Sequence, residues 1–135
     1  MQEVEQLNYI TELNADAFRE QFYLIHNISW EERTDISEKF SLVKRRLFFH
    51  KIADKNEFDL VYFDAFGARV QPELWTEDIF TKMYDATKDG GVLVTYSAKG
   101  SVRRAMQTVG FRVERLPGPP GKREMLRALK VASDI

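Results

Sequence analysis

Two spacings of apolar residues alternate along the second half of the chain. The run Leu60-Val61-Tyr62-Phe63 is continuous and stops at an acid, predicting a buried strand over Leu60–Asp64. Behind Pro72, a residue suited to a first helical turn, Leu74, Ile79, Phe80 and Met83 share one helical face and predict a helix from Pro72 to about Thr87. Asp89-Gly90-Gly91 reads as a turn and Val92–Tyr96 as a second buried strand. Lys99-Gly100-Ser101 leads into a short helix, Val102–Val109, closed by Gly110. Phe111–Leu116 is a third strand, Pro117–Gly121 a rigid loop and Glu124–Leu129 the last strand. The order β-α-β-α-β-β predicts an α/β fold with a mostly parallel sheet, its last strand antiparallel.

The first half is less regular. Val4 and Leu7 have helical spacing within Met1–Asn8. Asn14 is placed to cap a helix over Ala15–Ile28, whose apolar stripe is Ala17, Phe18, Phe22, Tyr23 and Ile25. Trp30–Lys39 reads as polar and irregular. Phe40–Val43 and Leu47–Ile52 are β-like runs split by Lys44-Arg45-Arg46, forming one bent strand or a hairpin. No repeat or long linker divides the 135 residues, a length that suits one domain.

Composition narrows the chemistry. With no cysteine, disulfides, thiolate catalysis and zinc–thiolate sites are excluded. No stretch reaches the roughly 18 apolar residues of a membrane helix and no signal peptide is visible, so a cytoplasmic protein is the default expectation. The formal net charge of −1 hides an asymmetry: residues 1–98 hold 11 Lys/Arg against 18 Asp/Glu, residues 99–130 nine against two. A basic C-terminal segment is the footprint of a polyanion-binding face, or of a solvated helix face beside an edge strand blunted by cations.

In an open α/β sheet ligands bind beyond the carboxyl ends of the strands. Three clusters fall there: Asp64-Ala65-Phe66, Tyr96-Ser97-Ala98-Lys99, and the loop Pro117–Arg123. Asp64 either caps a turn or is a functional acid, because a carboxylate directly after Val61-Tyr62-Phe63 is costly without a partner or a task. Phe66 and Trp75 flank the same loop; each offers a surface for a planar base, although Trp75 reads rather as core packing of the helix N-terminus. Lys122 and Arg123, after a stiff Pro/Gly loop, suit a phosphate or carboxylate. Arg103 and Arg104 lie near a helix N-terminus, where cations oppose the macrodipole and an anionic partner would relieve them. His26 and His50 have no metal-like neighbours, so no metal is expected, and the phosphate-loop and GxSxG motifs are absent.

Four blocks carry a family resemblance: DLVYFDAF, QPELWTEDIF, DGGVLVTYSAKGSVRRAMQTVGF and ERLPGPPGKREMLRA, in this order and spacing. They resemble the methyltransferase domain of the MnmC-type tRNA modification enzymes, strongly over about Asp59–Lys130 and more loosely over EVEQLNY and FREQFYLIHNISWEE. The resemblance implies the Rossmann-like class I methyltransferase sheet and S-adenosylmethionine as cofactor. It also implies tRNA as partner, with methylation of the 5-aminomethyl group of wobble (2-thio)uridine. In that family the domain occurs alone or fused to a flavin-dependent oxidoreductase.

Carried over by position, Asp64 is the catalytic acid that accepts or orients a proton, and Asp64, Ala65 and Phe66 face the cofactor. Phe66, Pro72 and Trp75 match the loop on the substrate side, and Lys122, Arg123, Glu124 and Met125 match a late block at the same mouth. With Lys99, Arg103 and Arg104, the two cations Lys122 and Arg123 make up the expected RNA-binding set.

Two departures shape the expectation. The family loop usually continues Ala-Pro where this chain has Gly67-Ala68, which frees the loop. The glycine-rich cofactor turn, and the acid that would hold the ribose, have no counterpart before Phe58. Residues 1–135 are therefore expected to be the C-terminal portion of a single, N-terminally truncated methyltransferase domain. Such a piece leaves a sheet edge exposed and open to self-association. The alternative is a non-catalytic RNA-binding module on the same fold; a small-molecule methyltransferase fits the basic blocks less well.

Overall fold

The computed structural model describes residues 1–132, in two compact units, Met1–Leu47 and the segment from Phe48 onward.

In the first unit, α1 (Gln2–Glu5) and α2 (Tyr9–Glu12) are single turns. A 3-10 turn, Asp16–Phe18, then leads into α3 (Arg19–Asn27). The helix expected from Ala15 thus begins later. Asn14 does not cap it: its φ is +50°, a left-handed geometry that asparagine tolerates and a helix start does not use. A hairpin follows, β1 (Arg33–Ser37) antiparallel to β2 (Phe40–Val43), with Arg33 opposite Val43 and Asp35 opposite Ser41. The segment read as irregular therefore holds β1. Its period-2 signal is faint because only Thr34 and Ile36 turn inward, between exposed Arg33, Asp35 and Ser37. Ile10 and Ile28 are the buried hydrophobic residues of this unit.

The second unit opens with a 3-10 turn at Phe49–Lys51 in place of the β-like run expected over Leu47–Ile52. Phe49 and Ile52 instead pack on the core as single side chains. The main elements follow as β3 (Phe58–Phe63), α4 (Glu77–Ala86), β4 (Thr87–Thr95), α5 (Gly100–Val109), β5 (Arg112–Pro117) and β6 (Glu124–Leu129). The helix predicted from Pro72 is split. Pro72–Leu74 is a 3-10 turn, and α4 starts afresh at Thr76, whose hydroxyl accepts the Ile79 N–H at 3.3 Å. Glu77 and Asp78 in the first turn complement the helix dipole.

The sheet order is β3-β4-β6-β5. β3 and β4 run parallel, with Leu60 opposite Val92 and Phe63 opposite Thr95. β6 runs antiparallel to both of its neighbours, so β3, β4 and β5 share one direction and the last strand opposes them. Glu114 on β5 accepts two hydrogen bonds from Arg127 on β6, at 2.7 and 3.0 Å, which hold its carboxyl below the usual carboxylate range.

One face of the sheet carries the core. Phe63, Leu93, Leu126 and Ala128 pack there with Ile79, Phe80 and Met83 of α4 and Val102, Ala105 and Met106 of α5. The other face is open along β3: Phe58 is 41%, Leu60 42% and Tyr62 77% exposed. This corrects the reading of Leu60–Asp64 as a buried strand. A continuous apolar run suits a strand covered on both faces, whereas β3 is an edge strand covered on one.

Lys130, just past β6, is buried at 7% exposure. Its ammonium donates to the Tyr84 and Thr87 carbonyls at 2.9 and 2.8 Å and to Asn56 Oδ1 at 3.2 Å, and it lies 4.5 Å from the centre of the Tyr84 ring. It ties the bottom of the sheet to the end of α4. Among the described residues no helix is long and apolar enough to cross a membrane, and no group of three His, Cys, Asp or Glu could hold a metal.

Candidate functional site

The parallel pair β3 and β4 delivers two polar residues side by side at its carboxyl end, Asp64 and Tyr96. With Tyr62 and Met125 they line a shallow depression of about 360 Å³. Asp64 is exposed to solvent. The desolvated acid expected from its place after an apolar run is not formed by the described residues, since the face beside it is open. Ala65 is 7% exposed and turns the loop back toward the core.

Two side chains fix this loop through consecutive carbonyls. The Tyr96 phenol donates to the Ala65 carbonyl oxygen at 2.7 Å. The Trp75 indole N–H donates to the Phe66 carbonyl oxygen, also at 2.7 Å. The two donors touch each other, ring centres 5.9 Å apart and nearly perpendicular. Trp75 is itself seated edge-to-face on Phe63 at 5.1 Å. The chain then turns at Gly67, whose carbonyl accepts the Val70 and Gln71 N–H groups at 2.8 and 2.9 Å.

Trp75 is therefore not placed to stack on a base: it is 7% exposed, and its work is to hold the loop from beneath. Phe66 is the aromatic that faces out, at 71% exposure. Fixing the backbone on either side of Phe66 presents its ring at a defined position despite the missing loop proline.

The Pro/Gly loop approaches the same mouth. Pro119 accepts the Lys122 N–H at 2.9 Å, and Gly121 has φ +86°. That is the geometry of a type II turn with Pro120 and Gly121 at its centre. Gly118 donates back to the Arg123 carbonyl at 3.1 Å, and a Cβ on Gly118 would collide with the Lys122 carbonyl. The loop is thus stiff, and it sets the Lys122 ammonium 5.0 Å from the centre of the Tyr96 ring. Arg123, exposed, borders a separate shallow depression with Arg115 and Glu124.

The expected site residues separate into groups. Asp64, Ala65, Phe66 and Trp75 are joined to one another and, through Tyr96, to Lys122. Lys99, exposed, caps the start of α5. The Arg104 guanidinium lies over Gly100 on the same helix, and Arg103 Nε is buried without a hydrogen-bond partner. Among the described residues no hydrogen bond or ion pair joins these three side chains to the Asp64 loop. Tyr96 is the residue that sequence reasoning left without a role. The signal was there: a phenol ending the strand next to the one that carries the acid.

S-adenosylmethionine would need hydrogen-bond donors for its methionine carboxylate and an acid for its ribose. The depression offers the Asp64 carboxylate and a phenol whose hydrogen is committed to Ala65, and no glycine precedes Gly67 to form a backbone cradle. The described residues do not by themselves make that cofactor site.

Comparison with known proteins places the chain. Over 71 residues it is 39% identical to the tRNA 5-methylaminomethyl-2-thiouridine biosynthesis bifunctional protein MnmC of Actinobacillus pleuropneumoniae, in serotype 5b (strain L20) and serotype 3 (strain JL03) alike. That match takes in 53% of this chain and 11% of the relative. The crystal structure of MNMC2 from Aquifex aeolicus superposes with a TM-score of 0.68 at 28% identity, over 87% of this chain and 39% of that one. A possible exported protein from Bordetella parapertussis shares the fold alone, with a TM-score of 0.51 at 15% identity, over 67% of this chain and 44% of that one. The chain spans less than half the length of each of these relatives. The S-adenosyl-L-methionine-dependent methyltransferase family matches residues 7–131. With three co-directional strands, an opposed last strand inserted between two of them and an acid ending β3, this chain belongs to that family, as a methyltransferase domain of the MnmC type.

Proposed function

We propose that this chain carries the substrate-facing side of a tRNA methyltransferase that acts on the 5-aminomethyl group of wobble (2-thio)uridine. The observation that carries the reading is the double tether of the Asp64 loop by Tyr96 and Trp75. It holds a carboxylate and an exposed aromatic at one mouth, as an amine on a planar base requires. An amine must be neutral to act as a nucleophile, and Asp64 takes or orients the ammonium proton. Phe66 meets the uracil ring, while Lys122 and Arg123 take phosphates beside it. Asp64, Ala65 and Phe66 border the place where donor and acceptor meet. The protein works in the cytoplasm, where tRNA is its partner.

The test has two parts. Calorimetric titration of S-adenosylmethionine into this chain is expected to give no binding in the micromolar range, and a micromolar constant would show that the cofactor groups have been misread. In a version of the domain that includes a donor-binding strand, Asp64→Asn is expected to lower turnover roughly a hundred-fold or more, as loss of a general base does, with tRNA affinity nearly unchanged. Equal losses in both would make Asp64 structural. A non-catalytic RNA-binding module is the second reading, favoured by the solvent-exposed setting of Asp64; it predicts RNA binding by this chain and no methyl transfer by any extended version.

A further inference from the structure

The first unit holds a basic cluster outside the Asp64 site. Trp30 is 49% exposed, and two cations sit against its ring: Lys44 Nζ at 5.0 Å from the centre and the Arg46 guanidinium carbon at 5.3 Å. The arrangement is built into the backbone. Trp30 and Lys44 form an isolated parallel bridge, and the Glu31 N–H donates to the Lys44 carbonyl at 2.7 Å. Lys44 Nζ is steadied by the His26 carbonyl at 3.2 Å, which leaves ammonium hydrogens for another acceptor. The Glu31 carboxylate accepts the Arg46 backbone N–H at 2.8 Å. It offsets part of the local charge, but among the described residues neither the Lys44 ammonium nor the Arg46 guanidinium has an ion-pair partner. Two like charges held at one indole, without a paired carboxylate, make a site for an anion that arrives with a planar group.

We propose that Trp30, Lys44 and Arg46 form a second RNA contact, in which the two cations hold the phosphodiester backbone and the indole meets an adjacent unpaired base or ribose. This deepens the tRNA reading above and rests on it. An RNA strand fits better than an anionic membrane. Residues 1–47 carry six Lys/Arg against nine Asp/Glu, so a bilayer would meet a net negative unit, whereas a single strand needs only this local platform.

The test is binding of a labelled RNA hairpin with an unpaired loop to the 135-residue chain, read as affinity at several salt concentrations and as protection of tryptophan emission from acrylamide. Trp75 is buried, so the accessible emission belongs to Trp30. The expected result is RNA-dependent protection, an affinity loss of about ten-fold in Trp30→Ala, and a salt slope lower by about 0.7 in Arg46→Gln, one phosphate contact on a single strand. Lys44→Gln is the weaker probe because it also releases the His26 carbonyl; circular dichroism checks that each variant folds. Unchanged affinity and slope in Arg46→Gln and Trp30→Ala overturn the platform. If Lys122→Gln/Arg123→Gln abolishes binding in the same series, the tRNA reading survives that failure. No RNA binding by the parent overturns both. Binding of phosphatidylserine vesicles through Trp30 and Arg46, with none to the hairpin, overturns the RNA assignment alone.

Discussion

The phenol of Tyr96 donates to the carbonyl oxygen of Ala65 across 31 positions of sequence, at 2.7 Å. It ties the end of β4 to the loop leaving β3, and it places the ring that carries Lys122 directly beside Asp64. Tyr96→Phe keeps the ring contacts with Trp75 and Lys122 and removes only that hydrogen bond. The expected loss is about 1 kcal/mol of stability, together with faster hydrogen exchange at the Val70 and Gln71 amides, whose turn hangs from the same loop. Unchanged exchange at those amides would mean that the Trp75 tether alone sets the loop.

The Pro/Gly loop makes a sharper prediction because its two glycines are required for different reasons. Gly121 sits in open space at φ +86°, so Gly121→Ala costs about 1–2 kcal/mol for the left-handed conformation. Gly118 has no room for a Cβ, so the Lys122 carbonyl must move and carry Lys122 off the Tyr96 ring. Gly118→Ala is expected to weaken RNA binding as well as lower Tm, while Gly121→Ala mainly lowers Tm. Equal effects on binding would count against a fixed placement of Lys122.

Lys130 and Lys88 are both lysines near the foot of the sheet, with opposite expected effects. Lys130→Met strands three oxygen acceptors, and chemical denaturation should show a loss of about 2–3 kcal/mol. Lys88 has a side chain 48% exposed and a single 3.6 Å ion pair with Asp59, so Lys88→Met should change stability by less than about 0.5 kcal/mol.

β3 is an edge strand with an apolar row along its open face. We expect self-association that rises with concentration and is abolished by Tyr62→Lys with Leu60→Lys, because charge on an edge opposes strand pairing. Sedimentation velocity across a concentration series checks this, and a parent chain monomeric throughout would show that the edge is protected.

The parts legible in the sequence were those encoded locally. The strand runs at Phe58–Phe63 and Glu124–Leu129, the helix closed by Gly110 and the Pro120-Gly121 turn all follow from period or turn chemistry within a few residues. Asp64 and Phe66 could be placed because they end such a run. What was not legible is set by partners distant in sequence. An apolar run does not report how many of its faces are covered, so β3 read as buried. Trp75 reads the same whether its indole stacks on a ligand or donates to the Phe66 carbonyl. Tyr96 acquires its role only once β3 and β4 lie side by side. β1 carries too few apolar residues to announce itself before β2 pairs with it.

The position of β6 has a consequence for how the protein is made. β6 follows β4 and β5 in the chain yet lies between them, so until Glu124–Leu129 has left the ribosome β5 has no ladder to join and β4 only that of β3. A nascent chain paused before that point exposes Leu93 on one side of the gap and Val113 on the other, both of which pair with Ala128 in the finished sheet. Closure of the sheet thus waits for β6, and the interval before it is when the growing chain most depends on chaperones.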